Sequence, residues 1–257
     1  MTAAAAFGPR AAQEYVLRLA DTSLILGQQL TGWIGHSPAL EEDLGLANIS
    51  LDLVGQARLL LAYCAELEGR GRTEDDLAFL RDPAEYRCVQ LVQQPNGDFA
   101  DTLVRQFLFD AWQVELFAGL AASRDARLAQ IAAKALKEIQ YHVRFSAGWV
   151  VRLGDGTVES HERTQRALNQ LWPFTNELCT PDDLDLEMQD NGIAPDLAQV
   201  QRSWSSRVDA VISEATLTRP PAQSYRWFGK RGEHGEHLGY VLADMQFLQR
   251  SFPGATW

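Results

Sequence analysis

The stretch from Ala126 to Gly154 constrains the fold more than any other. Its small and apolar residues Ala132, Ala135, Ile139, Ser146 and Trp149 recur at spacings of three and four, the period of an α-helix with one buried stripe. At 1.5 Å per residue such a helix is about 43 Å long, and a stripe of that length needs other long helices to cover it. His142 falls on the same stripe, one turn after Ile139. A polar side chain there costs free energy unless a partner inside the protein satisfies it.

Three other segments have the same character. Residues 11–34 place Val16, Leu19, Leu26, Leu30 and Trp33 on one face, with Ser23 in a gap of that stripe. A second helix runs to about Glu68 and carries Leu46, Ile49, Leu53, Leu60 and Tyr63, with Gln56 on the same face. Ser37 is expected to cap it and Pro38 to sit in its first turn, while Glu41, Glu42 and Asp43 complement the positive end of the helix dipole. A third runs from about Phe99 to Ala122, with Asp110 between Phe107 and Val114 on a stripe that includes Leu103 and Phe117. Four helices of this length call for an antiparallel bundle, so the chain is expected to be all-α.

The remaining segments are read around that bundle. Residues 72–97 form a shorter helix and a loop closed by the turn residues Pro95, Asn96 and Gly97. Segments 158–179, 196–216 and 233–251 are expected to be helical, separated by the acidic run 182–190, by Pro220-Pro221 and by the Gly-rich stretch 229–235. The chain is taken as a single domain, with residues 1–10 disordered, 11–154 the core bundle, and 155–257 peripheral helices and interface loops.

A net charge of −11 and a pI near 4.9 argue against nucleic-acid binding, which needs basic surface to replace phosphate counterions. The three cysteines, Cys64, Cys88 and Cys179, are far apart in the sequence and odd in number, which disfavours a disulfide framework and suits a reducing, cytoplasmic setting. No signal peptide and no membrane span is read, since no apolar run reaches the roughly 18–20 residues a span requires.

The obvious chemistry for such a bundle is a carboxylate-bridged di-iron centre. It needs a carboxylate from each of two helices and Glu-x-x-His from each of the other two, because several ionised carboxylates must balance two iron cations in a dry interior. The inward positions here are Ser23, Leu53, Gln56, Asp110, Ile139 and His142. Leu53-x-x-Gln56 and Ile139-x-x-His142 keep the spacing without the glutamates. Two readings of these positions compete. In one, Asp110, His142 and Gln56 form a hydrogen-bonded polar plug across the bundle. In the other, Glu138 and His142, spaced i, i+4 like Asn48 and Asp52, build an iron site of an independently active oxygenase. In the Gly-rich stretch, Lys230, Arg231 and His234 suggest an anion contact at a helix N-terminus, against the alternatives of a solvated basic turn or of a metal at His234 and His237.

The sequence also resembles a known family: the C subunits of bacterial phenylacetyl-CoA epoxidase. The likeness is carried by residues 35–41, 47–58, 94–102, 137–146, 232–239 and 245–250. It implies a ferritin-like fold in a multicomponent monooxygenase of aerobic phenylacetate breakdown. It further implies that a related A subunit holds the di-iron centre and epoxidises the ring of phenylacetyl-CoA, that a reductase with FAD and an iron–sulfur cluster supplies electrons from NADPH, and that a small B subunit bridges the assembly. Against the A-subunit ligand pattern, Leu53 and Gln56, Ile139 and His142, Asp110 and Ser23 occupy the ligand positions, and only Asp110 and His142 match in type. The implied role is that of a structural subunit holding no cofactor, paired with A or self-paired when alone, with Lys230, Arg231, His234 and His237 at an interface or at the edge of a CoA groove. A ferritin-like binding module outside any oxygenase remains the third reading.

Overall fold

The computed structural model describes residues 9–222 and 228–255; of the residues 1–10 expected to be disordered, 1–8 lie outside them, whereas Pro9 and Arg10 are already helical. Four long helices make the centre: α1 (Pro9–Thr31), α2 (Leu40–Glu68), α5 (Phe99–Leu120) and α6 (Ala126–Gly154). Between α2 and α5 the chain passes through α3 (Glu74–Phe79), a tight 3-10 turn at Pro83–Glu85 and α4 (Gln90–Gln93). α1 packs along α2 and α5 along α6, with α2 against α6 closing the bundle. Two hairpins joined by one long crossover is the ferritin-like arrangement, and no strand occurs among the described residues.

Local chemistry sets the boundaries. Asp98 caps α5 by accepting from the backbone N–H groups of Ala100 and Asp101 at 2.9 and 3.0 Å, with Asp101 returning the bond to Asp98 N. Asp125 caps α6 in the same way through Arg127 and Leu128. Gly69, at φ +66°, ends α2 in the left-handed conformation that glycine adopts without strain. Ser37 does not cap α2: its Oγ accepts from the Trp33 indole at 3.1 Å, and Ala39 stands at the cap with no side-chain bond. The Asp43 carboxylate instead gathers the N–H groups of Gly35 and Ser37. α1 also begins two residues earlier than its apolar stripe announces.

Around the bundle lie α7 (Val158–Leu171), α8 (Asn176–Cys179), α9 (Asp183–Asp190), α10 (Leu197–Glu214) and α11 (Glu236–Ser251). The acidic run taken as a separator is the helix α9: Asp182 caps it, the Asp182 and Asp185 carboxylates meet Arg18 and Asp185 also meets Lys230, while Asp183, Glu187 and Asp190 face solvent. α7 and α10 cover the outer side of α5, which is therefore buried on nearly every face. Trp204 of α10 donates its indole N–H to the Leu108 carbonyl at 3.1 Å and packs on Trp172.

α1 is pinned to the crossover by a buried ion pair. The Arg81 guanidinium meets both oxygens of the fully buried Asp21 and lies 4.2 Å from the centre of the Tyr86 ring. Among the described residues, α2 is long and apolar enough to cross a membrane by length and composition, which the sequence reading did not anticipate. Half of its most apolar 18-residue window is buried inside the protein.

Candidate functional site

The middle of the bundle is polar but carries little charge. Gln106, Asp110 and Gln113 follow one another at spacings of four and three, so one face of α5 presents all three inward. Gln113 donates through Nε2 to Gln56 Oε1 at 3.1 Å and to Ser23 Oγ at 3.5 Å. Gln56 in turn donates to Glu138 Oε2 at 3.2 Å. A chain of amides thus crosses from α1 through α5 and α2 to the edge of α6. Leu53 and Ile139 fill the space beside it and are fully buried.

Asp110 has no cation near it. Gln106 Nε2 donates to its Oδ1 at 2.6 Å, and Ser146 Oγ lies 2.7 Å from its Oδ2 and 3.0 Å from the His142 carbonyl. Burial pushes its carboxyl up to about 8, against the weaker opposing effect of these two hydrogen bonds. Burial therefore favours the protonated form of Asp110 at neutral pH, with the Ser146 hydroxyl bridging its Oδ2 and the His142 carbonyl.

The expected plug joined Asp110, His142 and Gln56 to one another; the structure separates them. The His142 ring turns toward α2, where Nε2 meets Asp52 Oδ2 at 3.0 Å. Burial holds the His142 pKa below its ordinary value, although Asp52 pulls it the other way. The imidazole is accordingly neutral at neutral pH, Nε2–H donates to Asp52, and Nδ1 is a buried acceptor with no partner. The Oε1 atoms of Gln106 and Gln113 are likewise buried without a donor.

Glu138 and Asp52 sit on the rim of this centre, beside a hollow of about 90 Å³ between α2 and α6. Burial and the Asp52 charge raise the Glu138 pKa. The reading of Glu138 and His142 as an iron-binding pair is not supported by this geometry: His142 Nε2 is engaged with Asp52 and Glu138 Oε2 with Gln56, and no group of three His, Cys, Asp or Glu side chains able to hold a metal forms around them among the described residues. Asn48, its proposed companion, is exposed on the outer face of α2.

Two irons do not fit these residues. The interior offers one protonated carboxyl, one imidazole already engaged with Asp52, three amides, and two aliphatic side chains at the glutamate positions. Among the described residues no three His, Cys, Asp or Glu side chains converge as a metal-holding group. The sequence reading overlooked Gln106 and Gln113, although their spacing from Asp110 puts them on its face; it assigned Asp52 and Glu138 only to the rejected metal set.

The Gly-rich loop is bound from within. Lys230, in a 3-10 turn at Gly229–Arg231, gives its ammonium to Asp185 Oδ2 at 2.6 Å and to the Thr180 carbonyl at 2.9 Å. Its backbone N–H and that of Gln90 share the Glu177 carboxylate. His234 accepts from Gln93 Nε2 at 2.9 Å and donates to the Tyr86 carbonyl at 3.0 Å, a neutral imidazole whose pKa burial lowers. A Cβ at Gly229 would stand 2.3 Å from the Cys88 carbonyl, so only glycine lets the loop approach this closely. The free basic turn expected for anion contact is therefore an anchored strap. Arg231 reaches Asp182 at 3.2 Å yet stays half exposed, and it shares with Lys230 and Phe228 a cleft of about 260 Å³. His237 lies apart, partly exposed in the first turn of α11.

A family model described as "Phenylacetic acid catabolic protein" matches residues 3–257. The chain belongs to this phenylacetic acid catabolic protein family. Within the family it is similar to the C subunit of 1,2-phenylacetyl-CoA epoxidase from Escherichia coli (strain K12), with 54% identity over 243 residues, covering 95% of this chain and 98% of the relative. Among solved structures it is similar to "Protein 19 with aldehyde deformylating oxidase activity from Synechococcus", with a TM-score of 0.53 and 15% identity over 81% of this chain and 88% of that one. At that identity the second likeness concerns the fold alone.

Proposed function

We propose that this chain is the non-catalytic supporting subunit of a phenylacetyl-CoA epoxidase acting in aerobic, cytoplasmic phenylacetate breakdown. It pairs with a catalytic A-type chain that holds the di-iron centre; a B-type subunit joins the assembly, and a reductase with FAD and an iron–sulfur cluster supplies electrons. The observation that carries this reading is the filling of the bundle centre: Leu53 and Ile139 are fully buried where a metal-binding relative needs glutamates, and Asp110 holds a proton where it would need a charge. The 54% identity to the C subunit of an epoxidase supports it. In such an assembly Arg231 and His237 are the loop residues still able to meet a partner or the phosphates of CoA, whereas Lys230 and His234 hold the loop in place.

The test is co-expression with a tagged ferritin-like chain that carries intact Glu-x-x-His motifs, followed by metal analysis. Co-purification is expected, with iron in the complex and none in this chain alone after anaerobic iron loading. About two irons in this chain by itself, the complement of a carboxylate-bridged site, or turnover by it with only a reductase added, would overturn the proposal. Failure to co-purify would favour a binding module outside any oxygenase.

A further inference from the structure

The outer face of α6 gathers positive charge in an acidic chain. Five residues of this helix are cationic and only Glu138 is acidic; the whole chain has a net charge of −11, so the rest of it stands at −15. Lys134, Lys137, Tyr141, Arg144, Gly148 and Arg152 recur at spacings of three and four. They fall within about 80° of one another on the helix, opposite the buried Ile139. The four cations are exposed, and two of the chain's three lysines are among them. Elsewhere arginines meet carboxylates: Arg163 and Arg166 share Asp98, Arg207 reaches Glu115, and Arg127, on the same helix, reaches Glu66. Among the described residues none of Lys134, Lys137, Arg144 and Arg152 forms an ion pair; Arg152 lies over the Trp149 ring, 5.1 Å from its centre. Like charges one turn apart, as at Lys134 and Lys137, repel on a helix surface, a cost that no ion pair of this row offsets.

The shape of the row selects its partner. Lys134 and Arg152 stand about 27 Å apart along the helix axis, so the cations do not converge on one phosphate-sized ion. They fit an elongated polyanion. Nucleic acid is disfavoured, because the −15 carried by the rest of the chain repels a phosphate backbone. Tyr141, in the middle of the row, is 40% exposed and tilted against Phe145 with ring centres 6.1 Å apart, a seat for one apolar side chain. At Gly148 an added Cβ would meet only the tip of Arg152, at 3.8 Å. The face is flat there, and a second helix can come close. A helix with carboxylates at every third or fourth position matches this row charge for charge.

We propose that the outer face of α6 docks an acidic helical segment of a different protein, held by Lys134, Lys137, Arg144 and Arg152 and seated on Tyr141. This goes beyond the supporting role proposed above and does not rest on it. The probe is an N-acetylated, fluorescently labelled helical peptide of about 20 residues, long enough to span the row, with glutamates at every third or fourth position and one central leucine. Its binding to the full chain is followed by anisotropy at low salt. Lys137→Glu/Arg144→Glu is compared with Arg58→Glu/Arg202→Glu, which changes the net charge equally at exposed sites elsewhere. The first pair is expected to weaken binding about tenfold or more and the second to leave it within about twofold, with added salt weakening the wild type. A zero-length carbodiimide should join the peptide to Lys134 and Lys137 and not to Lys230, whose ammonium is held by Asp185. No binding at low salt, equal losses in the two pairs of variants, or cross-links confined to Lys230 overturns the proposal. So does an oligonucleotide of matched charge that binds more tightly than the peptide, which would assign the face to nucleic acid. Should the reversed pair misfold, Lys137→Gln/Arg144→Gln and the wild-type cross-link map decide.

Discussion

Replacing Asp110 with Asn should stabilise the protein, and the gain should grow with pH. In the folded state the carboxyl is fully buried and its pKa is raised to about 8, whereas in the unfolded chain it titrates near 4. Between those values the folded protein holds one more proton than the unfolded chain. Its stability then falls with rising pH at about 1.4 kcal/mol per unit. The contribution is fully present below about pH 4 and lost as pH rises through the folded pKa near 8. From pH 4 to pH 7 the slope amounts to about 4 kcal/mol, a ceiling because local relaxation and water entry lower the cost of burying charge.

Asparagine imitates the protonated acid. Its Oδ1 accepts from Gln106 and its Nδ2 donates to Ser146, which donates onward to the His142 carbonyl. Urea unfolding of both proteins at pH 5, 6, 7 and 8 measures the difference. The variant should match the wild type near pH 4–5 and exceed it by about 2–4 kcal/mol at pH 7. A difference that does not change with pH, or a variant less stable at pH 8, would mean that Asp110 is ionised in the folded protein, with a cation or water beside it.

Three further outcomes follow from the same structure. Arg81→Met leaves Asp21 buried without its partner and should cost about 3–5 kcal/mol, most of it recovered when Asp21→Asn is added; a double-mutant cycle in urea that shows simple additivity would contradict the pairing. Lys230→Met should cost about 1–3 kcal/mol by removing a buried charged hydrogen bond, whereas Arg231→Gln, at a half-exposed ion pair, should cost less than about 1 kcal/mol; equal losses would contradict the anchored strap. Because its folded pKa is depressed, His142 contributes stability that is present above about pH 6.5 and lost as pH falls through the lower folded value. An NMR titration of the His142 ring should therefore find a midpoint below the ordinary one, and an ordinary midpoint would contradict its burial.

Much of the architecture was legible because long stripes overdetermine a helix. Leu103, Phe107, Val114 and Phe117 can share one face only with a period near 3.6, and α5 follows them. Short polar segments carry no such redundancy. The run 182–190 has few apolar residues; Asp182 and Asp185 begin its helix with a local capping box, and the same two carboxylates reach Arg18 and Lys230, 164 and 45 residues away, contacts that local pattern does not reveal. Ser37 was misplaced as a cap for a similar reason: the Trp33 indole competes for its hydroxyl. At the bundle centre, the sequence indicated which residues point inward but not how they pair. His142 and Asp110 share the interior, yet the direction in which each side chain leaves its helix sends one to Asp52 and the other to Ser146.

The electrostatics of that interior bear on function more directly than the count of missing ligands. A site built for two iron cations gathers anions at its centre and lets the metal hold their pKa values down. Here the order is reversed. The central carboxyl is neutral and the imidazole is neutral; the amides of Gln56, Gln106 and Gln113 carry no charge, and the ionisable acids Asp52 and Glu138 stand at the rim. Restoring a single glutamate at Leu53 or Ile139 would add an isolated buried charge, which would pick up a proton as Asp110 does rather than bind a metal. Metal binding would need several coordinated changes at once. A centre arranged in this way is suited to holding four helices in register, which is the use the supporting role proposed above would make of it.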